Sequence, residues 1–132
     1  MSTARFLNPR ALFKPPGYSH VVEVTGPGRM VYIAGQVGAD RDLKIPPDAR
    51  AQMVLAFENL KTALAEAGAT FKDVVKINNY LLNIADLKHF REVRDMYINT
   101  AAPPASTLVV VSRLAIDGLL FEIEAVAALP AK

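Results

Sequence analysis

Few residues in this chain can do chemistry, and the best of them lie near the C-terminus. Between Leu119 and Ala127 an apolar run is interrupted by Glu122 and Glu124. Strand alternation puts these acids on one face and Phe121, Ile123 and Ala125 on the other. Carboxylates on an otherwise apolar strand are costly unless that face meets water, a partner or a substrate. Chemistry is therefore expected there. Gly35, beside Gln36, is a second candidate, because a strand glycine lets a ligand approach the backbone closely. There is no cysteine, which removes disulfides, thiolate metal sites and a cysteine nucleophile together. The two histidines, His20 and His89, lack acidic partners at the spacing of a metal site or of a serine triad. Neither a metal nor a cofactor is expected.

These groups need a scaffold, and the hydrophobic pattern supplies one. Met1 to Pro16 is polar and proline-bearing, and reads as an N-terminal arm (residues 1–16) lying over the domain. Tyr18 to Val24 and Arg29 to Val37 read as strands joined by a turn at Thr25-Gly26-Pro27-Gly28, a hairpin. Asp48 is a plausible N-cap for a long helix ending at Gly68. Its apolar set, Met53, Ala56, Phe57, Leu60, Ala63, Leu64 and Ala67, follows the helical period. Asp73 to Leu82 reads as a strand with Val75, Ile77 and Asn79 on one side. Asp86 opens a second helix with Leu87, Phe90, Val93 and Tyr97 on its apolar side, stopping before Pro103. The runs Pro103–Leu114 and Leu119–Ala127 flank the turn-rich gap Ala115-Ile116-Asp117-Gly118 and read as a second hairpin. The order β-β-α-β-α-β-β predicts an α+β domain of two layers, residues 1–132 as one unit, with the sheet's other face bare.

Composition narrows the function classes. Apolar residues make up 52% of the chain and mean hydropathy is +0.20, a surplus that points to a buried subunit interface. The 15 basic and 13 acidic residues give a net charge of +2 without long runs, so no nucleic-acid partner is expected. No apolar stretch is long enough to span a membrane, and the first ten residues lack a signal-peptide core. A cytoplasmic protein that does not contact membranes is the expectation.

Taken together, several stretches resemble the Rid/YjgF family of reactive-intermediate deaminases across nearly the whole chain. They are Gly17-Tyr18, Ile33-Ala34-Gly35-Gln36-Val37, Asn59-Leu60, Ala67-Gly68, Asp73-Val74-Val75-Lys76, Asp86 to Phe90, Tyr97, Pro104-Ala105, Arg113-Leu114 and Phe121 to Ala127. The resemblance implies a chorismate-mutase-like α+β fold, with two helices on one face of a mixed sheet. It also implies a homotrimer with ligand clefts at subunit interfaces, and hydrolysis of enamines or imines such as 2-aminoacrylate to a keto acid and ammonia. Glu122 matches the family's water-positioning acid; one carboxylate can serve both as base towards water and as acid towards departing nitrogen. The bland reading of Glu122 is an interfacial salt-bridge acid, paired with Arg113.

Three positions depart from the family pattern. The arginine that follows Pro-Ala and grips the substrate carboxylate is here Ser106, the serine before Gly-Gln is Ala34, and an asparagine on the second helix is Arg94. A hydroxyl cannot imitate a bidentate guanidinium. Arg94 either takes over as the cation or is a solvated helix residue. Ser106 and Thr107 lie at the cleft by the resemblance, where their backbone N–H groups suit an anion. Tyr18 walls the pocket or is a half-buried strand aromatic. His20 alternates with Tyr18 towards the cleft, and His89 reads as exposed. The leading expectation is an imine or enamine hydrolase acting on something other than simple 2-aminoacrylate, such as a dienamine of the 2-aminomuconate type. The alternative is a trimer that binds keto acids or carboxylates without turnover. Ribonuclease activity, attributed to relatives, ranks low without a basic groove or stacked aromatics.

Overall fold

The computed structural model describes residues 3–132. Among them the order is β1 (Thr3–Leu7), β2 (Val21–Thr25), β3 (Gly28–Val37), α1 (Ala49–Glu66), β4 (Val74–Leu81), α2 (Leu87–Tyr97), β5 (Ala105–Val110) and β6 (Phe121–Pro130). A four-stranded mixed sheet runs β3-β6-β4-β5, and β1 pairs with β2 in a separate two-stranded sheet. β6 is antiparallel to both β3 and β4, while β5 is parallel to β4 and reached by a crossover through α2.

Neither expected hairpin forms. β2 pairs with β1, a strand inside the polar N-terminal arm, and β3 pairs with β6 instead. At the other end β4 lies between β5 and β6. Turn-rich composition marks where a chain reverses, but the partner of each strand is chosen by the face it must bury.

The helices follow their local signals closely. The Asp48 side chain caps α1 by accepting from the Ala51 N–H at 2.9 Å, and Gly68 closes it at φ +78°. Ahead of α2 a single 3-10 turn, Ile84–Asp86, intervenes. Asn83 caps that turn by accepting from Ala85 N–H, and the Asp86 side chain makes no capping bond.

α1 packs on β3 and β6, and α2 packs on α1. Met53, Phe57, Leu60 and Leu64 of α1 meet Phe121, Ile123, Ala125 and Ala127 of β6 in one core, each large side chain contributing about 1.5–3 kcal/mol by burial. Phe57 stacks on Phe121 at 6.0 Å between ring centroids and on Tyr97 at 5.1 Å. One polar residue belongs to this core. Gln52, fully buried, donates to the carbonyls of Pro46 and Gly118 and accepts from the Leu120 N–H. Its amide thereby ties down the entry to β6. The opposite sheet face carries no helix: Tyr32 (76% exposed), Met30 and Val109 stand open there. No described helix is long and apolar enough to cross a membrane.

Candidate functional site

Glu122 and Glu124 project from β6 to the open face, as alternation requires. Phe121, Ile123 and Ala125 are buried on the helical side, and the two acids are half-buried. The pairing of β3 with β6 slips by one residue between Ile33 and Gln36, so that Ala34 and Gly35 bulge opposite Glu124 while Glu122 pairs with Val37 just beyond. The Glu122 carboxylate occupies the room this creates: a Cβ on Gly35 would fall on its oxygen and lie 2.7 Å from its Cδ. Among the described residues Glu122 makes no hydrogen bond or ion pair. Arg113 pairs with Asp117 instead, at 2.8 Å. Burial, and then the charge of Glu124, raise the Glu122 pKa above the ordinary glutamate value. Glu124 accepts a hydrogen bond from Tyr80 Oη at 2.7 Å, and its carboxylate beside that hydroxyl raises the tyrosine pKa.

A second group gathers on the helical side, at the β5 edge. Arg94 of α2 is 6% exposed, so the solvated-arginine reading is wrong. Its Nε donates to Asp95 at 2.9 Å and its guanidinium carbon lies 5.6 Å from the centre of the Phe90 ring. Gly17, at φ +86°, presses against the guanidinium so closely that a Cβ would meet Nη2. The terminal nitrogens have no protein acceptor among the described residues. Arg94 lines a cavity of about 90 Å³ together with Pro16, Tyr18, Arg91, Ser106 and Leu108, and with Leu87 and Phe90.

Two neighbours arrange this cavity. Ser19 is buried, bonds through its hydroxyl to the Pro103 carbonyl at 2.6 Å, and bridges Ala105. Tyr18 is thereby pinned beside β5. Asn79 of β4 is 1% exposed and donates from Nδ2 to Ser106 Oγ and to the Thr107 carbonyl, both at 3.0 Å. Since Ser106 Oγ accepts from Asn79, its own proton is free to point into the cavity.

The site residues thus fall into two sets on opposite faces of one sheet. Glu122, Ala34 and Gly35 belong to the open face; Tyr18, Arg94 and Ser106 surround the cavity beneath α2. Thr107 does not accompany Ser106. Consecutive residues of a strand point to opposite faces, so Thr107 stands on the open face, where it accepts from Lys76 Nζ at 3.0 Å. His20 lies against Phe13 and Tyr18 in edge contacts, its Nε2 2.7 Å from the Phe13 carbonyl. His89 is half-buried rather than exposed, with Nδ1 shielded and unpartnered. Tyr80, Asn79 and Arg91 were not singled out in the sequence as site residues. Asn79 carried a signal all the same, a polar side chain in register with core positions.

Residues 11–129 match the family model described as Endoribonuclease L-PSP. The chain belongs to the Rid/YjgF family. Over 117 residues it is 38% identical to a RutC family protein of Pyrococcus abyssi, covering 86% of this chain and 88% of that one. A Dermatophagoides farinae protein named 2-iminobutanoate/2-iminopropanoate deaminase is 30% identical over 111 residues, 82% of this chain and 84% of its own. The crystal structure of YyfB, a conserved Rid protein of unknown function from Yersinia pestis, superposes with a TM-score of 0.82 at 34% identity, covering 96% and 98% of the two chains. The Rid fold accounts for the layer order: two helices on one side of a mixed sheet, the other side open.

Proposed function

We propose that this Rid-family protein hydrolyses a carboxylate-bearing enamine or imine, other than simple 2-aminoacrylate, to the keto acid and ammonia. The observation that carries this reading is Glu122, a half-buried carboxylate without side-chain hydrogen bond or ion pair among the described residues, set against Gly35. A carboxylate held above the ordinary glutamate pKa is a stronger base than a solvated one, as proton exchange with water requires. Starting from the protonated imine, Glu122 takes a proton from water as the water oxygen bonds to the imine carbon, giving a carbinolamine. Glu122 returns that proton to nitrogen; as the C–N bond breaks and the carbonyl forms, the hydroxyl proton passes to Glu122, and ammonia leaves with the keto acid behind. The deaminase name of the mite relative supports the class of reaction.

The substrate carboxylate belongs to the other set. Arg94, buried in the cavity lining with its terminal nitrogens free of protein acceptors among the described residues, replaces the missing arginine after Pro-Ala, and Ser106 adds a hydroxyl donor. Tyr18 closes the side. Because the two sets lie on opposite faces of one chain, a substrate reaches both only where two copies meet. A homotrimer assembled over the open face, burying Tyr32 and Met30, completes three such clefts.

The test is ammonia release from a panel of imines generated in place by an amino-acid oxidase, with Glu122→Gln in parallel and particle mass measured by light scattering. Turnover that vanishes in the variant, at trimer mass, is the expected result. Equal rates in parent and variant would remove Glu122 from the mechanism. Ser106 and Ala34 in place of the family's arginine and serine favour one other reading, a binding protein without turnover. It predicts saturable thermal stabilisation by keto acids with no ammonia formed.

A further inference from the structure

The cavity beneath α2 holds more positive charge than one carboxylate requires. Arg91 and Arg94 are one helical turn apart and both line it, and no acidic side chain among the described residues does. Asp95 meets Arg94 only at Nε. Arg91 has no ion pair among the described residues, whose bridges are Arg5–Glu23, Arg50–Glu92, Arg94–Asp95 and Arg113–Asp117. Like charges three residues apart on a helix repel, and a ligand with negative charge relieves that repulsion.

The depths of the two arginines specify the form of that charge. Arg94 is buried at the cavity wall, whereas Arg91 is exposed at its rim. A compact dianion sits at one depth; two anionic groups separated along a carbon chain reach both. We propose that this site selects a dicarboxylate, with Arg94 and the Ser106 hydroxyl holding the inner carboxylate and Arg91 the outer one. The proposal rests on the reading of this cavity as the carboxylate subsite, and it makes Arg91 the residue that distinguishes dicarboxylic from monocarboxylic substrates.

Titration calorimetry on the full chain tests it, with 2-oxoglutarate, 2-oxobutanoate and inorganic phosphate as probes. The parent should bind 2-oxoglutarate about ten-fold or more tightly than 2-oxobutanoate, with phosphate weakest. Arg91→Gln should erase that preference and leave 2-oxobutanoate within about two-fold of the parent. Lys88→Gln, which removes an α2 cation outside the cavity, should leave the preference intact. Arg94→Gln should weaken both keto acids by about a hundred-fold, with Arg94→Lys recovering part of the loss. Equal binding of the two keto acids by the parent, tightest binding of phosphate, a loss of both keto acids together in Arg91→Gln, or an equal effect of Lys88→Gln overturns the dicarboxylate assignment and leaves the carboxylate subsite standing. If Arg94→Gln changes neither keto acid, or the parent binds none of the probes, the subsite reading itself falls and takes this proposal with it.

Discussion

Glu122 and Arg94 carry opposite charges and are held by opposite means. Glu122 is placed almost wholly by backbone. A one-residue bulge opens space at Gly35, and the buried Gln52 amide anchors Leu120 just before it. No side chain grips the carboxylate. Arg94 is gripped on several sides, by Asp95 at Nε, by the Phe90 ring and by Gly17 against its fork. A group that exchanges protons profits from an unpaired, desolvated carboxyl that stays free to turn. A group that orients a ligand profits from a fixed fork with its outer nitrogens unused. The contrast divides the proposed labour between the two faces, and it can be probed from each side.

The largest effect expected is in Glu122→Gln, which should lower ammonia release by about 10²–10⁴-fold. Its melting temperature should stay level or rise, because a desolvated charge is being removed; a clear fall would mean the carboxylate is structural. Next comes Arg94→Gln, which should raise KM for a carboxylate-bearing imine by about two decades, equivalent to roughly 3 kcal/mol of lost contact. An unchanged KM would return Arg94 to a structural role.

Gly35→Ala sharpens the contrast from the backbone side. The new methyl group must displace the Glu122 carboxylate, so activity should fall by about ten- to a hundred-fold, while circular dichroism reports an intact fold. An active variant would show that the position of this carboxylate is not critical.

The pH dependence follows from the raised Glu122 pKa. Its base form appears as pH climbs, so the rising limb of kcat/KM should be centred above the ordinary glutamate range. Glu124→Gln should move that limb only part of the way down, since burial is the larger cause and remains. For stability the same shift means that the folded state holds this proton more tightly than the unfolded one. The contribution of Glu122 is therefore complete below its unfolded pKa and is lost as pH rises through the folded value. The smallest effect is expected of Ser106→Ala: about 1 kcal/mol of stability as Asn79 Nδ2 loses one of its two acceptors, and a few-fold weaker carboxylate binding.

Much of the scaffold can be read from neighbouring residues alone. Asp48 and Gly68 bound α1 as their side-chain chemistry requires, the apolar positions of both helices face the core, and Glu122 and Glu124 leave β6 on the face that alternation assigns. The carboxylate face and the glycine beside it were legible for the same reason. Other features were not legible in this way. Arg94 reads as a surface cation on base rates, and only the packing of Phe90 and Gly17 around it makes it a buried one. Ser106 and Thr107 are adjacent in the chain, yet the sheet sends them to opposite faces, and nothing local to Asn79 tells that its amide sets the Ser106 proton.

What the amino-acid order determined by itself, then, is every helix and strand except β1, the buried side of each, and the family. A helix period, a cap or an alternating strand is settled by residues within a turn or two of one another, where the geometry is fixed by covalent structure and short hydrogen bonds. What only the tertiary structure decided is which strands pair, and hence which charges share a face. β6 comes last in the chain yet fits between β3 and β4 because that is where both helices bury its apolar side, a contact between residues far apart in sequence that no local pattern encodes.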